Sequence, residues 1–226
     1  MHKVNPVTSN QSSVHEDLSF YVERYKTANF KRPYAQHTLD AFKQVEDWLN
    51  NWSGDVILDA CCGVGESTAK LAELYPNSRI IGVDKSAHRL SKHDHYAAET
   101  ATNYFVVQGD LLDFWRLLLE AQKSHPAWKI SRQFLFYPNP YPKKSQLNKR
   151  WHAGVMLPYI LQVSKNIEVR SNWRLYLEEF KAALALYDIS MEIQEVQGEP
   201  ITPFERKYLL DGQRCWRAFT LLATEN

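Results

Sequence analysis

The chain predicts an α/β protein built on a mostly parallel sheet with helices on both faces, and three observations predict it. Residues 55–84, DVILDACCGVGESTAKLAELYPNSRIIGVD, run as apolar strand, glycine turn, helix, apolar strand and acid. Further apolar runs of strand length alternate with helical patterns along the chain, the order that builds parallel βαβ units. With 226 residues, 44% of them hydrophobic, the chain can fill the core of one such domain and is too short for two.

Each element follows from its local pattern. Residues 1–13 are polar with no apolar period, so residues 1–17 are expected to form a disordered arm ahead of a domain spanning 18–226. Tyr25, Lys26, Phe30, Lys31, Arg32 and Tyr34 then interleave basic and aromatic residues, which suits RNA contact and packing on the domain equally. Leu39, Phe42, Val45, Trp48 and Leu49 recur at helical spacing and lead into the strand Val56–Leu58. After Gly63 and Gly65, the apolar positions Ala69, Leu71, Ala72 and Leu74 predict a helix that Pro76 and Asn77 end, and Arg79–Val83 forms the second strand. Downstream, Ser86–Glu99 is expected to be helical, Tyr104–Val107 a strand, Leu111–Leu119 a helix and Gln133–Tyr137 a strand. The remainder reads as a helix over Val155–Val163 containing Pro158, a strand over Ile167–Arg170, a helix over Leu175–Leu186, and strands over Ile189–Val196 and Trp216–Leu222.

Composition narrows the function. A net charge of +1 does not coat the surface with positive charge, so nucleic-acid affinity has to come from local patches. No apolar run approaches a membrane span and the first residues lack a signal-peptide core, so a cytoplasmic location is expected. Adjacent Cys61 and Cys62 with a distant Cys215 make neither a disulfide framework nor a zinc spacing. His88, His93 and His95 share no i, i+4 pairing and no cluster at ligand spacing, so no metal site is expected and a solvated helix face is.

Two stretches carry chemistry. Glycines at 63 and 65 let the backbone turn and a ligand approach it, while Asp84 at the end of the second strand can accept from both hydroxyls of a ribose. A dinucleotide and S-adenosylmethionine both suit that unit. The dinucleotide fingerprint wants a third glycine where Thr68 stands, which weakens that alternative. Gly109-Asp110 places a second acid at the carboxyl edge of the sheet, where ligands of open α/β sheets bind. Further on, Pro138, Pro140 and Pro142 hold Asn139 extended, and Lys143, Lys144, Lys149 and Arg150 follow within one short span. Four like charges repel unless an anion offsets them, and phosphate is the natural candidate.

These motifs resemble two known patterns. LDACCGVG resembles the first motif of class I S-adenosylmethionine-dependent methyltransferases, with Cys61 in place of its first glycine. YPNPYPKK followed by LNKRW resembles Phe-Pro-Asp-Pro-Trp-Pro-Lys-Lys and His-Asn-Lys-Arg-Arg of the bacterial TrmB-type tRNA (guanine-N7)-methyltransferases. Ser171-Asn172-Trp173 is similar to the family's Thr-Asp-Trp block, and Thr202-Pro203-Phe204-Glu205 to its Thr-x-Tyr/Phe-Glu block. The resemblance runs from about Ile57 to about Phe219, and departs from the family where Asn139 and Asn172 replace aspartates and where Ser164-Lys165-Asn166 replaces a Pro-Gly-Gly turn.

The resemblance implies a Rossmann-like, seven-stranded sheet whose last strands include one antiparallel member. It implies S-adenosylmethionine as cofactor, held by Asp59, Cys61, Gly63, Gly65, Asp84, Lys85, Asp110 and Leu111. It also implies a tRNA substrate methylated at N7 of a variable-loop guanine, with Asn139 and Asn172 at the reacting base. Lys143, Lys144, Asn148, Lys149, Arg150, Thr202, Phe204 and Glu205 would bind that substrate. Two alternatives stay open: Pro-Asn-Pro-Tyr is similar to the Asn-Pro-Pro-Tyr motif of amino-methyltransferases, and loss of two aspartates suits a catalytically weak RNA-binding paralogue. Monomer and homodimer are both compatible with the sequence.

Overall fold

The computed structural model describes residues 5–28 and 30–221. In chain order they form α1 (Leu18–Lys26), α2 (Gln36–Leu49), β1 (Asp55–Ala60), α3 (Glu66–Leu74), β2 (Arg79–Asp84), α4 (Ala87–Leu90), β3 (Tyr104–Gln108), α5 (Leu111–Ser124), β4 (Lys129–Phe136), α6 (Leu157–Val163), β5 (Ile167–Ser171), α7 (Arg174–Ala185), β6 (Met191–Glu195), α8 (Pro203–Leu210) and β7 (Trp216–Thr220). The seven strands make the mostly parallel sheet that the sequence predicts. The chain divides into two compact units, one of Lys31–Phe136 with Gln162–Ser164, the other of the remaining residues.

The first unit holds β3, β2, β1 and β4 side by side, all parallel. Central β1 is flanked on both edges, with Asp59 opposite Gly82 of β2 and Phe134 of β4. Val56, Ile57, Leu58, Ile80 and Ile81 are buried as near-continuous runs, the pattern of parallel strands covered on both faces. Each such side chain stabilises the unit by roughly 1.5 to 3 kcal/mol. On α5, Phe114 meets Phe42 of α2 edge-on at 5.2 Å. Trp115 donates its indole N–H to Gln133 (2.9 Å), whose amide donates to the Ser164 carbonyl (2.8 Å), so the buried polar atoms of that layer are satisfied.

The second unit holds β5, β7 and β6, with β7 antiparallel to both neighbours. Helix α7 buries Leu175, Leu177, Phe180, Ala183 and Leu184. Helix α8 is not expected from the sequence, although its start carries clear signals. Thr202 accepts from the Glu205 N–H (3.0 Å) as N-cap, and Pro203 stands in the first turn, where its missing N–H costs nothing.

Three expectations need correction. The helix over Ser86–Glu99 is only α4 followed by a single 3-10 turn at His93–His95. The stretch has no apolar stripe to bury, so tertiary packing does not sustain a helix there. Tyr137 lies outside β4, in a left-handed conformation (φ 51°), with its N–H donated to Arg170 (2.9 Å). In the segment expected as a disordered arm, residues 5–17 lack regular structure, yet Gln11 and His15 are buried. Their anchoring is polar, which apolar periodicity cannot register. Residues 1–4, and Leu222 at the end of the last expected strand, lie outside the described residues. Among the described residues no helix is long and apolar enough to cross a membrane.

Candidate active site

The turn after β1 is built on a buried carboxylate. Asp59 is fully buried, and its Oδ2 accepts from Ser67 Oγ (2.6 Å) and Thr68 Oγ1 (2.7 Å). Its Oδ1 has no hydrogen-bond partner among the described residues. Burial pushes the Asp59 pKa up to about 7 against the pull of those two hydroxyls, and the neighbouring Asp84 charge adds to the rise. Thr68 is held close to β2 because Gly82 leaves room: a Cβ there would lie 2.3 Å from Thr68 Oγ1. The close helix-to-strand approach that a third loop glycine gives a dinucleotide fold is here supplied from the strand, which frees Thr68 to bond Asp59.

The turn itself is left-handed at three positions, Cys61 (φ 61°), Gly63 (φ 64°) and Gly65 (φ 79°). Cys61 thus adopts a backbone that glycine takes without strain, at a cost of roughly 1 to 2 kcal/mol. Burial raises the thiol pKa values of Cys61 and Cys62, so both stay protonated and neither is poised as a nucleophile. Asp84, also buried, ties the turn to the end of β2: Oδ2 accepts from Gly63 N–H (3.0 Å) and Oδ1 from Ser86 N–H (2.8 Å). Arg89 stands 3.4 Å from Oδ2.

The other expected cofactor residues lie in the same unit. Lys85 is exposed, and Leu111 is buried at the start of α5. Asp110 caps α5, its Oδ1 accepting from Asp113 N–H (3.2 Å) and pairing with Arg32 (3.0 Å). Sequence reasoning missed the roles of Ser67 and Thr68, placed Arg32 in a segment suited equally to RNA contact and to packing on the domain, and left His93 on a solvated face. His93 instead places Nδ1 2.9 Å from the Val64 carbonyl and packs edge-on against Tyr104. The hydroxyls at 67 and 68, in the first turn of the helix that follows the strand's acid, were a signal that the glycine spacing overshadowed.

The second unit carries the proline loop and its basic run. Asn139 is exposed, and its Oδ1 accepts weakly from Tyr141 N–H (3.5 Å). Asn172 donates Nδ2 to Gln213 (3.0 Å), which leaves its oxygen as an acceptor. Lys143, Asn148 and Lys149 are exposed, whereas Lys144 lies 3.5 Å from Glu16. Phe204 is 48% exposed, and Thr202 is consumed as the cap of α8.

Arg150 and Glu205, expected to bind substrate, do not stand where a substrate can reach them. Arg150 is fully buried, ion-paired through Nη1 with Glu179 and bonded to Gln11 (3.1 Å). Its Nε and Nη2 donate to the Tyr141 carbonyl (3.1 and 3.0 Å), and its guanidinium lies 4.9 Å from the Trp173 ring centre. Against the upward push of burial, His152, Gln11 and Arg150 hold the Glu179 carboxyl down to about 2. Burial lowers the His152 pKa, so the ring is neutral and donates Nε2–H to Glu179 (3.0 Å). A neutral ring also accounts for His152 Nδ1, which has no partner among the described residues, since an unprotonated nitrogen costs less to leave unpaired than an N–H. Glu205 is likewise fully buried, bonded to Arg170 (3.0 and 3.2 Å) and to the Tyr137 hydroxyl (2.9 Å). In both cases a buried charge has taken an internal counter-charge.

A family model described as "Putative methyltransferase" matches residues 53–218, from just ahead of β1 into β7. The chain belongs to this methyltransferase family. Among curated proteins, a tRNA (guanine-N(7)-)-methyltransferase of Ruegeria sp. is 30% identical over 72% of this chain and 56% of its own length. One from Buchnera aphidicola is 22% identical over 71% of this chain and 70% of its own length. At these identities the chain is a divergent member of the TrmB type. Among solved structures, one titled as an antibiotic related methyltransferase covers 88% of this chain and 98% of its own at 15% identity, with a TM-score of 0.53. The 16S rRNA methyltransferase KamB covers 85% and 96% at 14% identity, also with a TM-score of 0.53. These structures share the fold of a class I methyltransferase, and the turn between β1 and α3 in this family member is the one the sequence singled out.

Proposed function

We propose that this protein transfers a methyl group from S-adenosylmethionine to N7 of a guanine in tRNA. The observation that carries the cofactor half is Oδ1 of buried Asp59, which has no partner among the described residues and is an acceptor suited to the ammonium group of a bound amino acid. Gly63 supports the fit, because a Cβ at that position would meet nothing within 4 Å. Asp84 retains acceptor capacity beyond its two backbone bonds and would take the ribose hydroxyls, with Asp110 near the adenine amino group and Cys61, Gly65, Lys85 and Leu111 along the flank. When bound, the cofactor supplies a sulfonium methyl open to displacement by a nitrogen lone pair.

The substrate half is supported by the curated relatives, which are named as tRNA (guanine-N7) enzymes. Guanine N7 is nucleophilic without losing a proton, so the chain has to position the base rather than deprotonate it. Asn139 and Asn172 would contact the base, while Lys143, Lys144, Asn148, Lys149 and Phe204 would hold the RNA. Incubation with labelled S-adenosylmethionine and bulk tRNA, followed by nucleoside identification, tests the reading: labelled N7-methylguanosine supports it, and cofactor binding without transfer to any RNA overturns it. Labelled N6-methyladenosine would instead favour the second reading, in which Asn139, proline-flanked as in Asn-Pro-Pro-Tyr, handles an exocyclic amine.

Asn139→Asp sharpens the assignment. One carboxylate oxygen would keep the Tyr141 N–H and the other would accept from guanine N1–H and N2–H. Methyl transfer should rise by up to about tenfold, the worth of one hydrogen bond expressed in the transition state. Steady-state kinetics on purified tRNA showing a slower variant at equal cofactor affinity counts against guanine.

A further inference from the structure

The segment before α1 and the turn after the proline loop flank an open cleft of about 580 Å³ lined by Thr8, Ser9, Asn10, Lys143, Lys144 and Ser145, with Pro142 at its wall. The segment is pinned there. Ser9 donates to the Pro142 carbonyl (2.6 Å), Lys144 N–H points at Asn10 Oδ1 (3.4 Å), and Gln11 next to them is buried between Arg150 and Glu179. The lining includes no carboxylate. Lys143 has no ion-pair partner among the described residues, while Lys144 is partly offset by Glu16, which is 72% exposed. Two ammonium groups flanked by the hydroxyls of Thr8 and Ser145, with no acid in the lining, form a positively charged surface rich in donors, whose matching ligand is a phosphodiester or another phosphate.

We propose that Thr8, Lys143, Lys144 and Ser145 form a binding cleft for the phosphate backbone of RNA, with Glu16 attenuating its charge. The proposal rests on the RNA-methylating reading above and deepens it by assigning the segment ahead of α1 to the substrate surface. It also separates the basic run by role: Lys143 meets phosphate outright, Lys144 does so at a discount, and Arg150 does not.

The test is tRNA binding by the full chain as a function of salt, for wild type and single variants, with methyl transfer measured on the same preparations. Lys143→Ala should weaken binding and make the log-log salt slope shallower by about 0.7 to 0.9. Glu16→Gln should do the opposite, tightening binding and steepening the slope, because it frees Lys144. A solely structural role for Glu16 cannot produce that gain. Thr8→Val and Ser145→Ala should each weaken binding by about threefold with no change of slope, since no charge is removed.

Wild-type slopes and affinities in all four variants would overturn the cleft, and if tRNA is still methylated the functional reading survives that failure. The predicted slopes without methyl transfer would leave the cleft standing and remove the reading. Titration with inorganic pyrophosphate distinguishes the ligand's source. Lys143-dependent binding of pyrophosphate, with tRNA binding insensitive to every variant, would mean a free-phosphate site and would rule out the RNA backbone.

Discussion

The turn at residues 59–68 and the loop at residues 137–150 both announce themselves by unusual sequence, yet their polar groups are disposed in opposite ways. In the turn, Asp59 is buried with one oxygen unmatched among the described residues and a pKa raised to about 7. In the loop, Arg150 and Glu179 are buried with their valences filled by each other, by Gln11, by His152 and by the Tyr141 carbonyl. The first arrangement carries a cost in the free protein that a cationic ligand can offset. The second fixes the backbone that presents Asn139 and Lys143. A charge in a motif therefore says little about function until its partners are counted.

The largest effect should come from breaking the filled cluster. Glu179→Ala leaves Arg150 buried without a counter-charge and should destabilise the fold by about 3 to 5 kcal/mol, read by urea unfolding. The same carboxylate gives a pH signature. Its folded pKa, about 2, lies below the ordinary 4.5, so the folded state binds this proton less tightly than the unfolded chain. Its stabilisation is present above about pH 4.5 and is lost as pH falls towards 2. Stability insensitive to both changes would mean that the cluster is not the anchor of the loop.

The turn should respond in ligand binding instead. Asp84→Ala should weaken S-adenosylmethionine by about 2 to 3 kcal/mol, from lost ribose bonds and a loosened Gly63 N–H, with the fold retained. Unchanged affinity in calorimetric titration would remove Asp84 from the site.

Asp59 offers the sharpest contrast with Glu179, because the sign of its linkage is reversed. With a folded pKa of about 7 against an ordinary 3.8, the folded state binds the proton more tightly. Its contribution is fully present below about pH 4 and is lost as pH rises towards 7. Asp59→Asn should therefore make the free protein more stable than wild type at pH 8, by roughly 1 to 3 kcal/mol, while weakening the cofactor. A variant that is less stable at pH 8 would show that the buried carboxylate is not strained.

The smallest effect is backbone strain. Cys61→Gly, at φ 61°, should stabilise the fold by about 1 kcal/mol in thermal unfolding, because glycine adopts that conformation without a Cβ clash. A loss of stability would place the value of Cys61 in its side-chain packing.

Much of this molecule was legible because it is encoded locally. Continuous apolar runs marked β1 and β2, apolar positions at period 3.6 marked α2 and α7, and the glycine turn with Asp59 and Asp84 marked the carboxyl end of the sheet. Sequence reading also failed where a helix was expected with no apolar stripe to bury, as at 86–99, and where burial existed without an apolar pattern, as at Gln11 and His15. Thr202 and Pro203 announced α8, but the family block drew attention away from its cap.

By itself the sequence determined the α/β class, the position of the glycine turn and the acids beside it, since backbone preference and side-chain period are properties of neighbouring residues. Only the tertiary structure decided which charges are free. Arg150 sits in a run of lysines and looks like one more phosphate ligand, yet its partners are Glu179, 29 residues on, and Gln11, 139 residues back. A charge leaves water only when a distant group replaces its hydration, and that pairing has no local signature.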